Sequence, residues 1–560
     1  MLSPRPPMLA DHLPSRRSAP LPLALAHPPF SVVVRRRWRP AARIETVTGT
    51  PPVPDEHPSP QTLPEVGART ATVLVFTSSA AVLVVEITAL RLLAPYLGLT
   101  LETSTLVIGI ALAAIALGSW AGGRLADRDD PRRWLGTSLG VSGVVVAFTP
   151  SAVRAAAEWA PATLLLVATL TILAPGALLS AVTPMVTKLR LIKLAQTGTV
   201  VGQLSGVGTM GAIAGTVLTG FVLVSRIPVS VILIGLGSIL VLGGIVVQWR
   251  MRRRNTVSAT VLTLTTVGAG LAGYVAPGGC DVETKYHCAQ VIADPERDSG
   301  RILMLDGARH SYIDLQDPAL LQFIYVRAFA SVVDASFPSE KALEAYHLGG
   351  GGLTFPRYLA ATRPGTRNVV SEIDGGVVRI DRDKLGSASN AGTQVRVEDG
   401  RLGLARLDDD SRDLIVGDAF GGVSVPWHLT TVEALTDVRR VLKDDGMYIA
   451  NLIDYGELAF ARAEVSTLTE IFDHVIVAAE AGDVGVDTAA TPDGGNLVVL
   501  ASDRPVDPDT LQRVLNTRKT GWTITAGKEL SRWIGDARVL TDDYAPVDQL
   551  LDPYRRQTGE

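Results

Sequence analysis

The chain has 560 residues, a mean hydropathy of +0.26 and only 19% charged residues. This length exceeds what one ordinary core fills, so we expect two or more domains, and the hydropathy requires membrane segments or an unusually large core. A net charge of -4 lacks the basic excess that nucleic-acid binding needs, which excludes a nucleic-acid partner.

The first segment, 1-68, is rich in Pro, Arg and Ser and has no sustained periodicity. This composition predicts a disordered tail. Its apolar piece, "LPLALAHPPFSVVV", is short and interrupted by prolines, which disfavours a signal peptide. The arginines favour a cytoplasmic N-terminus.

The second segment, 69-276, is predicted to be a transmembrane domain of about seven helices. Each of its apolar windows approaches the roughly 20 apolar residues that a bilayer requires. The seventh is rich in Thr and Gly and is the weakest. The windows are 70-94, 103-123, 134-150, 161-185, 199-225, 228-248 and 256-275.

Basic residues follow the even-numbered windows. Because positive loops favour the cytoplasm, we expect a multi-pass protein of the cell (plasma) membrane, with the lipid bilayer as partner and with these ends inside. If the seventh window spans, the soluble half lies outside, as the charge count favours; if not, it lies inside. The basic residues are Arg124, Arg128, Arg132, Arg133, Lys188, Arg190, Lys193, Arg250, Arg252, Arg253 and Arg254.

Two features of the membrane half leave alternatives open. Cys280 and Cys288 fit either a disulfide in an oxidising compartment or two unpaired thiols, and they lack the spacing of a zinc site. Glu86 and Arg91 are costly in an apolar helix, so they indicate a functional site, or they pair with each other or reach the interface. The segment "GGRLADR", Gly122 to Arg128, resembles the short loop motif of major-facilitator transporters.

The half after Pro277 changes pattern. Alternation from Glu283 to about Ser311 predicts hairpins, and the apolar stretch Pro318 to Val333 predicts a helix. The segment 277-335 is therefore predicted to be a small β-hairpin subdomain with a linking helix. From 336-555, short buried strands alternate with helices, which predicts a doubly wound, mostly parallel, Rossmann-like sheet. The strands are "AYHLGG", "NVVSEID", "TQVRVED", "DLIVGDAF", "GMYIANLI", "HVIVAAE" and "NLVVLAS".

The run "YHLGGGGLTF" places four glycines where the first of these strands ends. Glycines let the backbone approach a ligand and turn into a helix, although a tight turn without a ligand also explains them. Glu372 ends the second strand, where an acid in such folds accepts hydrogen bonds from ribose. Asp399 and Asp418 end the third and fourth strands, at the same sheet edge. Asp418 could instead cap a helix, and His310 and His428 could make ordinary hydrogen bonds.

The motif order "YHCAQV", "LMLDGARHS", "LGGGG", "SEID", "VEDGR", "DLIVGDAF" and "LTDDYAPVDQLL" resembles the spermidine synthases. These are aminopropyltransferases of the class I methyltransferase fold, and the likeness is to members with membrane spans ahead of the enzyme domain. It covers about residues 280 to 555. It implies transfer of an aminopropyl or other alkyl group to an amine, such as a polyamine.

The resemblance implies the residue roles. Asp418 matches the proton acceptor, Glu372 the ribose-binding acid, and Gln322 a substrate-side His or Gln. The co-substrate would be decarboxylated S-adenosylmethionine or S-adenosylmethionine, without a metal, and the soluble domain could form a homodimer. The remaining matches are nucleoside-binding Gly349, Gly350 and Gly351 and the adenine-contacting pair Asp399 and Gly400.

Three positions depart from this family. Gly352 and Gly421 stand where the relatives carry carboxylates, and Leu321 replaces a tyrosine of the diamine site. A dicationic amine needs opposing carboxylates, so the diamine half of the site is eroded. Two alternatives remain. The ionisable residues of the first window and the segment "GGRLADR" favour a transporter of amines or another solute, with the soluble domain as a sensor. The predicted location outside the cytosol, where S-adenosylmethionine is made, favours a catalytically inactive scaffold.

Overall fold

The computed structural model describes residues 66-97, 101-191, 197-224, 226-251, 268, 280-386, 392-422, 424-487 and 492-551. The predicted disordered tail lies outside these residues, apart from its last three. The seventh apolar window, 256-275, also lies outside them, apart from residue 268.

The described N-terminal part is helical, and we call it the helical half. It contains six helices long and apolar enough to cross a membrane, so the first six predicted windows are confirmed as apolar helices. The fourth of these, Pro161–Arg190, contains two consecutive helices. The bounds are α1 Ala68–Leu97, α2 Leu101–Arg128, α3 Arg132–Trp159, α4 Leu164–Ser180, α5 Val182–Arg190, α6 Thr197–Leu218 and α7 Val229–Arg250.

Helices α3 and α7 pack through glycines that face each other. A Cβ built on Gly143 would lie 2.5 Å from the carbonyl oxygen of Gly237, and one on Gly237 would lie 2.5 Å from that of Gly143. Gly136 and Gly244 make the same reciprocal contact two turns away. Small residues allow such close backbone approach between apolar helices, so the pair depends on them.

The segment "GGRLADR" was predicted as a loop, and this is wrong. It forms the last turns of α2, which continues to Arg128, and the next proline in the chain is Pro131. Gly122 lies against the backbone of Ala181, and Asp127 pairs with Lys188 at 2.7 Å. The segment thus packs α2 against the start of α5.

The C-terminal part, which we call the α/β half, begins with an antiparallel sheet in the order β1-β2-β3-β4. This confirms the predicted hairpins. A disulfide joins Cys280 to Cys288, so the alternative of two free thiols is wrong. The strands are β1 Val282–Glu283, β2 Cys288–Asp294, β3 Arg297–Leu305 and β4 Ala308–Asp314.

The linking helix, α8, spans Ile324–Ser336, so its predicted start at Pro318 is wrong. The Asp314 carboxylate accepts hydrogen bonds from the backbone amides of Gln316 and Asp317, both at 2.8 Å. These bonds hold a turn after β4 and delay the helix.

The second sheet has eight strands in the order β12-β10-β11-β9-β8-β5-β6-β7. Strands β9, β8, β5, β6 and β7 run parallel, while β11, β10 and β12 form an antiparallel edge. All seven predicted strands are present, and β12 is additional. The strands are β5 Glu344–Leu348, β6 Arg367–Glu372, β7 Thr393–Val397, β8 Arg412–Gly417, β9 Leu442–Tyr455, β10 His474–Ala479, β11 Gly494–Ser502 and β12 Thr523–Ala526.

Helices connect these strands, and the strand order reverses between β5 and β8. Ligands of open α/β sheets bind at such a reversal, beyond the carboxyl ends of the strands. The helices are α9 Thr354–Thr362, α10 Gly375–Lys384, α11 Gly400–Leu404, α12 Val432–Val441, α13 Ala459–Ile471, α14 Pro508–Thr517, α15 Gly527–Ile534 and α16 Val547–Leu550.

The α/β half contacts one end of the helical half. Arg91, near the end of α1, donates to the carbonyl of Tyr286 at 2.9 Å, so its described contacts are to the α/β half rather than to Glu86. Arg154, near the end of α3, pairs with Glu283 at 2.9 Å. The basic ends of α2, α5 and α7 lie at the opposite end of the bundle.

We predict that Gly237→Ala destabilises the protein by about 1 to 3 kcal/mol, because the added methyl group overlaps with the α3 backbone. Gly235→Ala on the same helix is the control, since a Cβ there meets nothing within 4 Å. Thermal unfolding of the full chain in nanodiscs measures both. Equal stability of the two variants would contradict the glycine packing.

Candidate functional site

The glycine loop brings the ends of β5 and β8 together. Gly349 has φ +93°, and a Cβ there would overlap with the carbonyl group of Asp418, whose carbon atom would lie 2.8 Å away. Only glycine adopts this conformation without strain and leaves this space. The loop therefore lies directly beside the residue that follows β8.

Glu372, the last residue of β6, is buried and holds the loop. One carboxylate oxygen accepts from the Gly350 amide at 2.8 Å, and the other accepts from the Asp374 amide at 2.8 Å. Burial raises the pKa of Glu372, and the two amides oppose that shift. Each oxygen retains a lone pair that a hydroxyl group can use.

Asp399 follows β7 and caps α11, accepting from the Leu402 amide at 3.0 Å. Its second oxygen lies 3.1 Å from Nε2 of His428. His428 thus makes an ordinary hydrogen bond, as one sequence interpretation proposed. The carbonyl of Gly400 accepts from the Tyr346 hydroxyl at 3.1 Å, which ties the Asp-Gly pair to β5.

Asp418 lies half-buried directly after β8. Its oxygens accept from the Asn451 amide at 3.0 Å and from the Tyr325 hydroxyl at 3.3 Å. The side chain therefore does not cap a helix. Burial raises the pKa of Asp418 from 3.8 to about 6, although both hydrogen bonds oppose this.

Neither partner of Asp418 was predicted. Asn451 carried a signal in the sequence, because it is a polar side chain within the apolar strand "GMYIANLI", and Asn496 orients it at 2.9 Å. Tyr325 gave none, since its approach depends on where α8 begins.

The glycine loop, Glu372, Asp399 and Asp418 line one cleft that opens to solvent. His310 also lines the cleft, and burial lowers its pKa to about 4, so its ring is neutral near pH 7. The structure brings every predicted site residue to this cleft except Gln322, whose side chain is exposed ahead of α8.

The fourth glycine is required by packing. Gly352 has φ +81°, and a Cβ there would overlap with the Ser311 hydroxyl and lie 2.9 Å from Ile313. Strand β4 therefore occupies the space that a side chain at 352 needs. Gly421 differs, since a Cβ there meets only one carbonyl at 4.0 Å.

Leu321 is buried beside the core of α8, and the nearby Tyr325 supplies a hydroxyl to Asp418. A tyrosine hydroxyl from α8 thus contacts the carboxylate of Asp418, four residues beyond the position expected from the resemblance. Among the described residues, no group of three or more His, Cys, Asp or Glu side chains is arranged to hold a metal ion.

The comparisons with known proteins give similarities in sequence and in structure. No protein-family model matches the chain. The probable polyamine aminopropyl transferase of Bifidobacterium longum is 25% identical over 260 residues, which cover 42% of this chain and 54% of that protein. The polyamine aminopropyltransferase of Vibrio vulnificus is 30% identical over 156 residues, 27% of this chain and 51% of that protein. The homologues of this chain are polyamine aminopropyltransferases.

The chain spans about half the length of these curated relatives. Among solved structures, a probable spermidine synthase from Corynebacterium glutamicum is 28% identical, with a TM-score of 0.43, and the match covers 48% of this chain and 97% of that one. The resemblance that the sequence motifs indicated is confirmed.

We predict that Gly352→Ala destabilises the protein more than Gly422→Ala does. Both glycines have φ near +80°, so both substitutions add left-handed strain of about 1 to 2 kcal/mol. Only position 352 adds an overlap with Ser311, which should cost a further 1 to 3 kcal/mol or so. Unfolding of the full chain in detergent measures the stability of both variants. Equal losses of stability would mean that β4 moves freely away from position 352, and would contradict the prediction.

Proposed function

We propose that the chain is a membrane-bound transferase of the aminopropyltransferase type. In this proposal, the cleft binds decarboxylated S-adenosylmethionine or S-adenosylmethionine, with the glycine loop against the nucleoside and Glu372 accepting the ribose hydroxyls. An aminopropyl or other alkyl group passes to a small-molecule amine.

The observation that carries this proposal is the environment of Asp418. A half-buried carboxylate with a pKa near 6 is ionised at neutral pH and still accepts a proton readily. Asn451 and Tyr325 hold it in one orientation, and the glycine loop lies beside it. These contacts support a base that is held in one orientation beside the loop proposed to receive the nucleoside.

The proposed reaction balances without an oxidant or reductant. The bound sulfonium supplies the electrophilic carbon, so the nitrogen–carbon bond forms as the carbon–sulfur bond breaks and sulfur keeps the electron pair. Asp418 accepts the proton that the attacking amine loses. The hydroxyl of Tyr325 stabilises the carboxylate before that transfer. Positions 352 and 421 are glycines and provide no carboxylate for a second ammonium group of the acceptor. We therefore propose an acceptor that is held chiefly through its reactive amine.

We predict a rate that rises as the pH passes through about 6 and levels above it, because the base must be ionised. Asp418→Asn should remove this rise and lower kcat by about 10²- to 10⁴-fold. Release of methylthioadenosine from decarboxylated S-adenosylmethionine, measured with a panel of amines, reports the reaction. No release with any amine would contradict the proposal.

Glu464→Gln is the control, because Glu464 is also a buried carboxylate with a raised pKa but lies outside the cleft. It should leave the pH profile unchanged. Asp418→Asn should also stabilise the protein at pH 7, on the order of 3 kcal/mol, since burial penalises the ionised form above pH 6. Lost activity in a more stable variant separates catalysis from unfolding.

We also propose that the α/β half faces away from the cytoplasm. It contacts the ends of α1 and α3, whereas the basic residues cluster at the other end of the bundle. Met251 follows α7 at that basic end, and Cys280 lies beside Arg91 and Arg154. The last described residue before residue 252 and the first described residue after residue 279 therefore lie at opposite ends of the bundle. The disulfide fits an oxidising compartment.

This location is tested with reporters fused after Glu560. We expect the alkaline phosphatase fusion to be active, because that enzyme needs export. The fusion to green fluorescent protein should not fluoresce, because that protein fluoresces after folding in the cytoplasm. The reverse pattern would contradict the proposed location while leaving the proposed reaction intact.

A further inference from the structure

We infer that Arg91 is a positioning residue for the nucleoside site: from the end of α1, it orients the carboxylate of Glu372 through Thr284 and Asp374. The inference rests on the proposed function only in taking Glu372 as the residue that receives the nucleoside. It assigns the helical half a part in the reaction beyond anchoring.

The path of contacts from Arg91 through Thr284 and Asp374 to Glu372, which we call the relay, begins where the two halves of the chain meet. The Arg91 guanidinium donates to the carbonyl of Tyr286 at 2.9 Å and to that of Thr284 at 3.1 Å. Both carbonyls belong to the turn between β1 and β2, so one planar group holds the turn at two points. The carboxylates of Asp306 and Asp374 attract the same guanidinium.

The second step passes through Thr284. Its hydroxyl oxygen accepts from the His287 amide at 2.8 Å, and the hydroxyl also makes a short hydrogen bond with the carboxylate of Asp374. Thr284 and Asp374 are both buried. A Cβ on Gly376 would lie 2.5 Å from the Cβ of Thr284, so the turn lies directly on the start of α10.

The third step reaches the site. Asp374 caps α10 by accepting from the Gly376 amide at 2.8 Å, and its own amide donates to Glu372 at 2.8 Å. The other oxygen of Glu372 accepts from Gly350. The carboxylate is therefore held between the glycine loop and a backbone amide whose position depends on Thr284.

The position of His287 supports the same connection between Arg91 and the cleft. His287, which donates its amide to Thr284, borders both the cleft and the cavity beside Arg91. The turn that Arg91 holds is thus also part of the cleft wall. A shift of α1 would move this wall and the amide of Asp374 together.

The test measures methylthioadenosine binding to the full chain in nanodiscs by titration calorimetry. We expect Arg91→Gln and Thr284→Val each to raise the Kd about 5- to 30-fold, because each leaves buried polar groups of the relay without a partner. Thr284→Ser keeps the hydroxyl and should bind within about twofold of the unsubstituted chain. The double variant Arg91→Gln, Thr284→Val should bind like either single one, since both interrupt one path.

Asp548→Asn is the matched control. Asp548 accepts from the Leu101 amide at 3.1 Å, so it also joins the two halves, but it lies outside the cleft. Its Kd should not change. Equal weakening by Asp548→Asn would assign the effect to general docking and overturn the inference, as would unchanged binding by Arg91→Gln and Thr284→Val.

Hydrogen exchange provides a readout that needs no ligand. Amides in 349-353 and 372-377 should exchange faster in Arg91→Gln and Thr284→Val than in the unsubstituted chain or in Asp548→Asn. If the unsubstituted chain binds no nucleoside, the proposed function fails, and these exchange rates alone decide the role of Arg91. Unchanged exchange would then overturn it.

Discussion

The close approach of the Gly349 backbone to the carbonyl of Asp418 is the contact on which the rest of the site depends. It occurs where the strand order reverses between β5 and β8, so it opens a cleft beyond their carboxyl ends. The glycine loop then reaches the carboxylate of Glu372, and Asp418 meets Asn451 and Tyr325. A side chain at position 349 would push the ends of β5 and β8 apart and disrupt these contacts of Glu372 and Asp418.

The sequence predicted the parts of the site that follow from strand order. Glu372, Asp399 and Asp418 each end or follow a short apolar strand, and parallel strands place such residues at one edge. The sequence showed that Gly352 stands where the relatives carry a carboxylate, but it did not show the packing that requires a glycine at this position. The hydroxyl of Ser311 that fills its space comes from β4, in a separate sheet.

Features that depend on contacts between distant segments escaped prediction. Tyr325 reaches Asp418 because Asp314 holds a turn that delays α8, and no periodicity records that turn. Arg91 could be flagged as costly in an apolar helix, yet its partners Thr284 and Tyr286 lie almost two hundred residues away. The helical conformation of "GGRLADR" was missed for another reason, since its likeness to a loop motif outweighed the absence of a proline between Gly122 and Arg128.

The structure also changes the weight of the other functional interpretations. Two observations that favoured a transporter now have structural explanations, because Arg91 binds the α/β half and "GGRLADR" packs α2 against α5. An α/β half outside the cytoplasm needs its nucleoside there, which requires export of the co-substrate or leaves the domain as a scaffold. In either case, the relay through Thr284 would couple occupancy of the cleft to the helical half.

Isothermal titration of the full chain in nanodiscs with decarboxylated S-adenosylmethionine, S-adenosylmethionine and methylthioadenosine tests nucleoside binding in the cleft most directly. We predict saturable heat with at least one of them, lost in Glu372→Gln and retained in Asp418→Asn, because the first residue is proposed to hold the ribose and the second to accept the proton. Absence of heat with all three, or equal binding by Glu372→Gln, would contradict it.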